Sequence, residues 1–177
     1  MSTPIILAPL EDACVNSNKP TARLNGQGLG IGKWNYINRS LLKFSIKNLK
    51  LLPNSISSVE LRLYGKALYT PITVNALFTV KNFKEKAVSW ITQPPPSKLS
   101  GKDVMGSFSN VSTSLGWFYI PIDPVFLIAR MGSDFLIILE SNRESGVDNY
   151  CYAADKEGEP SLGPQYAPKL AIKTRAC

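Results

Sequence analysis

The chain has 177 residues, 44% apolar and 19% charged, and 20 Lys and Arg against 13 Asp and Glu give a net charge of +7. That length suits one domain with a sizeable core, and the apolar share excludes a disordered chain. The basic residues are scattered without a run of five or six, which argues against a nucleic-acid partner, and nothing approaches the roughly 18 apolar residues of a membrane-inserted helix.

In chain order, residues 1–10 hold an apolar, strand-like arm, Pro4-Ile5-Ile6-Leu7-Ala8-Pro9, suited to pairing with a neighbour's sheet edge. No Lys or Arg precedes this short run, so no signal peptide is expected. Asp12-Ala13-Cys14-Val15 reads as a strand, followed by an Asn25-Gly26 turn and the segment Leu29-Gly30-Ile31-Gly32. The stretch from Gly32 to Asn38 reads as a loop that exposes Trp34 and Tyr36. Leu42, Phe44 and Ile46 then alternate with polar residues, as do Val59, Leu61 and Leu63 after the Leu52-Pro53-Asn54-Ser55 turn. Val74, Ala76, Phe78 and Val80 repeat the pattern, with Leu77 out of phase. A helical turn is expected over Asn82 to Val88, before Pro94-Pro95-Pro96.

Phe118, Ile120 and Ile122 form another alternating face and lead into a short helix from Asp123 to Gly132. Asp sits there as N-cap, Pro in the first turn and Gly at the end. Phe135, Ile137 and Leu139 alternate next, then Tyr150-Cys151-Tyr152, an acidic Pro/Gly-rich gap from Asp155 to Pro164, and a last strand from Pro168 to Thr174. Period-two alternation throughout, with turns at short intervals, predicts an all-β antiparallel sandwich or barrel. The expectation is one domain over 1–177, with 175–177 as a tail.

The order and spacing of several fragments resemble the DNRLRE (disaggregatase-related) domain family, which is related to a carbohydrate-binding module family. They are Asp12-Ala13-Cys14-Val15, Arg39 to Phe44, Leu52-Pro53 leading to Ile56–Tyr64, Glu85 with Trp90 and Pro94, Gly116-Trp117, and Tyr152 with Pro168–Ile172. Phe83 stands where that family usually has a Trp. The resemblance implies a jelly-roll β-sandwich, with Trp90 and Trp117 in framework positions, and it suggests sugar binding.

Catalysis is not expected. There is no histidine to serve as the usual base for a Ser or Cys nucleophile. The acidic residues do not read as a facing glycosidase pair, and Glu85 beside Trp90 reads as packing and hydrogen bonding at a turn. No cofactor is required, although Asp12, Asp155, Glu157 and Glu159 are candidates for a structural Ca²⁺, which needs six to eight oxygens. Three cysteines, Cys14, Cys151 and Cys177, fit no zinc spacing and cannot all pair within one chain.

The leading expectation is therefore a non-catalytic structural subunit, a homo-oligomer or filament that is extracellular or on a cell or spore surface. It would be joined through the arm (Pro4, Ile5, Ile6, Leu7) and by intermolecular disulfides, with Cys177 bonding Cys14 or another cysteine. The alternative is a carbohydrate-binding module that stacks a polysaccharide on Trp34 and Tyr36, with Arg39 as a hydrogen-bond donor. A glycan-processing accessory domain stands third.

Overall fold

The computed structural model describes residues 3–24, 28–158 and 162–175. Eleven strands follow the alternation: β1 (Ile5–Leu7), β2 (Glu11–Asn16), β3 (Leu29–Trp34), β4 (Tyr36–Ser45), β5 (Ile56–Tyr69) and β6 (Thr73–Thr79). The remaining strands are β7 (Val104–Ser109), β8 (Gly116–Ile122), β9 (Asp134–Ser141), β10 (Asn149–Ala153) and β11 (Lys169–Thr174). The one α-helix among the described residues, α1 (Pro124–Ile128), starts where the capping signal places it, since Asp123 Oδ1 accepts the Val125 N–H at 3.1 Å.

All strand pairs are antiparallel and join into one curled sheet in the order β1-β11-β5-β10-β3-β4-β9-β6-β7, with β2 beside β4 and β8 beside β5. Strands distant in sequence lie side by side, and the curled sheet packs two layers face to face as a sandwich of the jelly-roll class. Leu61, Leu63 and Ile120 from one layer meet Leu42, Phe44, Phe135 and Ile137 from the other in a single main core. Each such side chain contributes about 1.5–3 kcal/mol by leaving water.

A second, smaller core explains Leu77. The outer surface of β4, β6 and β9 is covered by residues from the segment after β6, so Leu41, Leu77, Leu136 and Ile138 pack on Phe83 and Val88. Those strands are buried on both faces, and their sequences read as runs rather than alternation. Lys43 is buried there too, although its position in a polar–apolar alternation suggests a solvated face. Its ammonium donates to Glu11 Oε1 at 2.7 Å and to the Phe83 carbonyl at 2.8 Å.

β5 is the longest strand and borders three others. β11 and then β10 pair with it in succession along one edge, while β8 pairs along the other. A bulge at Leu68 lies within this strand: Cys151 opposes Ala67, but the preceding Tyr150 opposes Tyr69. The skipped residue places Tyr69 on the same outer face as Lys66, Tyr64 and Arg62.

Candidate functional site

Trp34 and Tyr36 are not in a loop. They end β3 and begin β4 as directly opposed partners, joined by Asn35 alone. Asn35 takes a left-handed φ of 58°, which Asn tolerates better than most side chains. The hairpin tip is tethered from outside by Lys33, which donates to the Gly146 carbonyl and lies 4.0 Å from Asp148. As opposed partners the two rings share one face, and both remain about 40% exposed, at 44% and 42%.

Two further tyrosines extend that face. The Trp34 ring centroid lies 5.8 Å from Tyr150 and 5.9 Å from Tyr69. Tyr150 belongs to the outer phase of β10, whose inner residues Asn149, Cys151 and Ala153 are buried. β3 makes room for it with glycine: a Cβ on Gly30 would lie 2.7 Å from the Tyr150 hydroxyl oxygen. Burial raises the Tyr150 pKa further above its ordinary value, so its phenol stays a neutral donor across the physiological range.

Beside these rings lies a polar pocket of about 280 Å³, lined among the described residues by Asn16, Asn18, Lys19, Tyr36, Asn38 and Tyr150, with Cys14 and Gly30. It is only slightly smaller than the ~300–1,000 Å³ of typical ligand sites. Its amides are oriented by the fold. Asn16 Nδ2 donates to Asn38 Oδ1 at 2.8 Å, and Asn38 Nδ2 donates to the Tyr36 carbonyl at 3.1 Å. Exposed flat rings next to prearranged amides can stack on the apolar face of a ring and hydrogen-bond its hydroxyl edge.

Arg39 is elsewhere. It lies on the other surface of β4, where Nε and Nη2 donate to both Glu144 oxygens at 2.8 and 2.7 Å. Glu140 stands 3.3 Å away, and the Trp90 ring lies 5.3 Å from the guanidinium carbon. A donor held this way is not available to a ligand at Trp34.

The acidic candidates do converge. Ligand oxygens of Asp12, Asp155 and Glu157 all lie within 4.8 Å of one another; Glu159 falls outside the described residues. Backbone N–H groups already serve the cluster: Lys156 donates to Asp12 Oδ2 at 2.5 Å, and Gly28 donates to Asp155 Oδ2 at 3.1 Å. The Lys156 ammonium bridges Glu157 at 2.5 Å and Glu85 at 3.1 Å. Burial, opposed by the Lys156 N–H but reinforced by Asp155, Glu157 and Glu85, pushes Asp12 up to about 7. Asp155 is raised by burial as well, while Lys156 overcomes burial to hold Glu157 low. Three carboxylates supply the hard oxygen donors that Ca²⁺ takes, and the remaining ligands would be carbonyls or water.

The description of carbohydrate-binding module family 96 matches residues 4–162, nearly the whole chain and all of the hairpin, aromatic face and pocket. The chain belongs to this family. The motifs' carbohydrate-binding link is thereby supported, whereas the DNRLRE designation itself is not what matches. Among curated proteins no sequence matches. Among solved structures, the K1 cleaved adhesin domain of Lys-gingipain (Kgp) from Porphyromonas gingivalis W83 is similar at 8% identity. That similarity spans 99% of this chain and 100% of the other, with a TM-score of 0.32. So loose a superposition carries no argument.

Within this family 96 module the arm and the two described cysteines, expected to drive assembly, are part of the folded sheet. Ile5, Ile6 and Leu7 pair with Ile172, Ala171 and Leu170 of the same chain, so the arm is folded as the edge strand of its own sheet rather than extended away from it. Cys14 and Cys151 are buried free thiols, 7% and 0% exposed. Burial raises both pKa values, Cys151 to about 12, which leaves no accessible thiolate for a neighbour. Cys177 lies outside the described residues. The residues that sequence reasoning missed are Tyr69, Tyr150, Asn16 and Asn38. Tyr150 had a signal, its alternation with Cys151; Tyr69 had none, because the bulge breaks the phase.

Proposed function

We propose that this protein is a non-catalytic carbohydrate-binding module that holds a polysaccharide against the Trp34–Tyr36 hairpin and the adjoining amide pocket. The observation that carries this reading is the exposed Trp34–Tyr36 pair, continuous through Tyr150 with an amide-lined cavity. Family membership points the same way. Sugar rings would stack on Trp34 and Tyr36, while Asn16, held in place by the fully engaged Asn38 amide, and the Tyr150 hydroxyl take up ring hydroxyls. Such a ligand is met outside the cell or at its surface. This reading is preferred to self-assembly, because the arm is folded into the monomer's own sheet and the two described thiols are buried. We also propose calcium as a structural ligand of Asp12, Asp155 and Glu157.

Affinity electrophoresis through a panel of polysaccharides tests the main reading. The wild-type protein is expected to be retarded by at least one polymer. Trp34→Ala should weaken that retention at least about tenfold, the equivalent of one lost stacking contact. Trp34→Phe should keep most of it, and circular dichroism should show both variants folded. Equal retention of the Ala variant would remove the hairpin from the site.

A further inference from the structure

Five to seven residues along β5 from Tyr69, the same outer face carries a second cluster that the Trp34 site does not use. Lys169, Arg62 and Tyr119 are direct register partners across β11, β5 and β8, and Tyr64 opposes Trp117 in the neighbouring row. The row thus sets two cations side by side on adjacent strands, an arrangement that destabilises a sheet unless something offsets it. Glu60 answers only part of the charge, accepting from Arg62 Nε at 2.8 Å. Among the described residues Lys169 has no carboxylate partner; its ammonium instead lies 5.0 Å from the centre of the Trp117 ring.

Aromatic rings wall this cation pair. Trp117 packs edge-on against Tyr64 at 5.4 Å and stacks on Tyr166 at 6.3 Å, while Tyr64 and Tyr166 approach to 4.2 Å. Tyr119 is 43% exposed, with the Arg62 guanidinium carbon 5.9 Å from its ring centre. Arg62, Trp117, Tyr119 and Lys169 together line a notch of about 190 Å³. Neither the sheet nor the core requires this combination at an outward-facing position.

We propose that this notch is a second ligand site, and that it takes an anionic unit of a polysaccharide, a sugar ring bearing a carboxylate or a sulfate ester. The anion sits between Lys169 and Arg62, where it offsets their repulsion, and the ring lies against Tyr119 or Trp117. The inference rests on the carbohydrate-binding reading, because a cationic aromatic notch alone would also suit a nucleotide. Its place supports the sugar: 62 to 69 along β5 is about 23 Å at roughly 3.3 Å per residue, on the same outer face. One extended chain can therefore touch both sites.

The three tryptophan indole N–H groups give three distinct resonances, assignable by substitution at Trp34, Trp90 and Trp117. Titration of the whole protein with oligogalacturonate, and separately with a sulfated dextran oligomer, is expected to shift the Trp117 signal. The shift should survive in Trp34→Ala, and should weaken about tenfold in the folded double variant Arg62→Gln/Lys169→Gln. It should also weaken as salt rises, since the contact is partly exposed. The two arms show which anion is preferred. A Trp117 signal unmoved by both oligomers, unchanged affinity in the double variant, or a response to single-stranded oligonucleotide alone would each overturn the proposal. If instead only Trp34 fails to respond, the hairpin reading falls and this site stands.

Discussion

The two outer surfaces of the sandwich contain the same kinds of residue in opposite conditions. On the β4–β9–β6 side, Trp90, Phe83, Arg39 and Lys43 are committed: rings cover the smaller core, and each cation meets a carboxylate within 2.8 Å. On the β3–β10–β5 side, Trp34, Tyr36 and Tyr69 remain about 40% exposed, and the nearby amides line open space. A tryptophan beside a cation is thus no sign of a site by itself. What distinguishes a site is whether the neighbours leave the ring face and the donors free.

Asp12, which ties β2 to the segment after β10, should give the largest effect. It titrates near 7 when folded against 3.8 ordinarily, so between those values the folded protein holds a proton that the unfolded chain releases. Its stabilising contribution is fully present below about pH 4 and is lost as pH rises through 7. The loss amounts to at most about 4 kcal/mol from the size of the shift. Asp12→Asn should flatten that decline in melting temperature between pH 4 and 8. Millimolar calcium should recover it in the wild type above pH 7 and not in the variant. An identical pH profile in the two proteins would contradict the burial argument; no calcium response would remove the metal.

Next in size is Glu11→Ala, which strands the buried Lys43 ammonium on the committed surface. It should cost about 3 kcal/mol, roughly 6–12 °C in melting temperature for a domain of this size, with glycan retention intact. Trp90→Ala should cost less, about 2 kcal/mol, because that ring is only half-buried, and it too should leave retention unchanged. Trp34→Ala should show the reverse, lost retention with a small thermal shift. If Trp90→Ala abolished binding, the contrast between the two surfaces would fail.

Much of the fold was legible because period two reports a half-buried strand directly. Val59, Leu61 and Leu63 face the main core as their alternation requires, and the Asp123-Pro124 signal set the start of the only α-helix among the described residues. β7 was missed, since Val104-Met105-Gly106-Ser107-Phe108-Ser109 has a weak apolar contrast. Leu77 looked irregular only because a second covering layer is invisible to a pattern that assumes water on one side. Of the site, Trp34 and Tyr36 were identifiable as exposed rings. Arg39 was misplaced because its face is set by strand phase, opposite to that of Tyr36 and Asn38, and its partners lie 105 positions away in sequence.

The bulge at Leu68 carries an evolutionary consequence. One additional residue in β5 changes which side chain faces outward beyond that point and leaves the core residues before it in phase. A lineage could thus gain or lose Tyr69 from the surface by a single-residue insertion or deletion, with no substitution and no repacking of Leu61 or Leu63. The two halves of the strand are free to diversify separately: the half bearing Arg62 and Tyr64 in one frame, and the end bearing Tyr69 in the other.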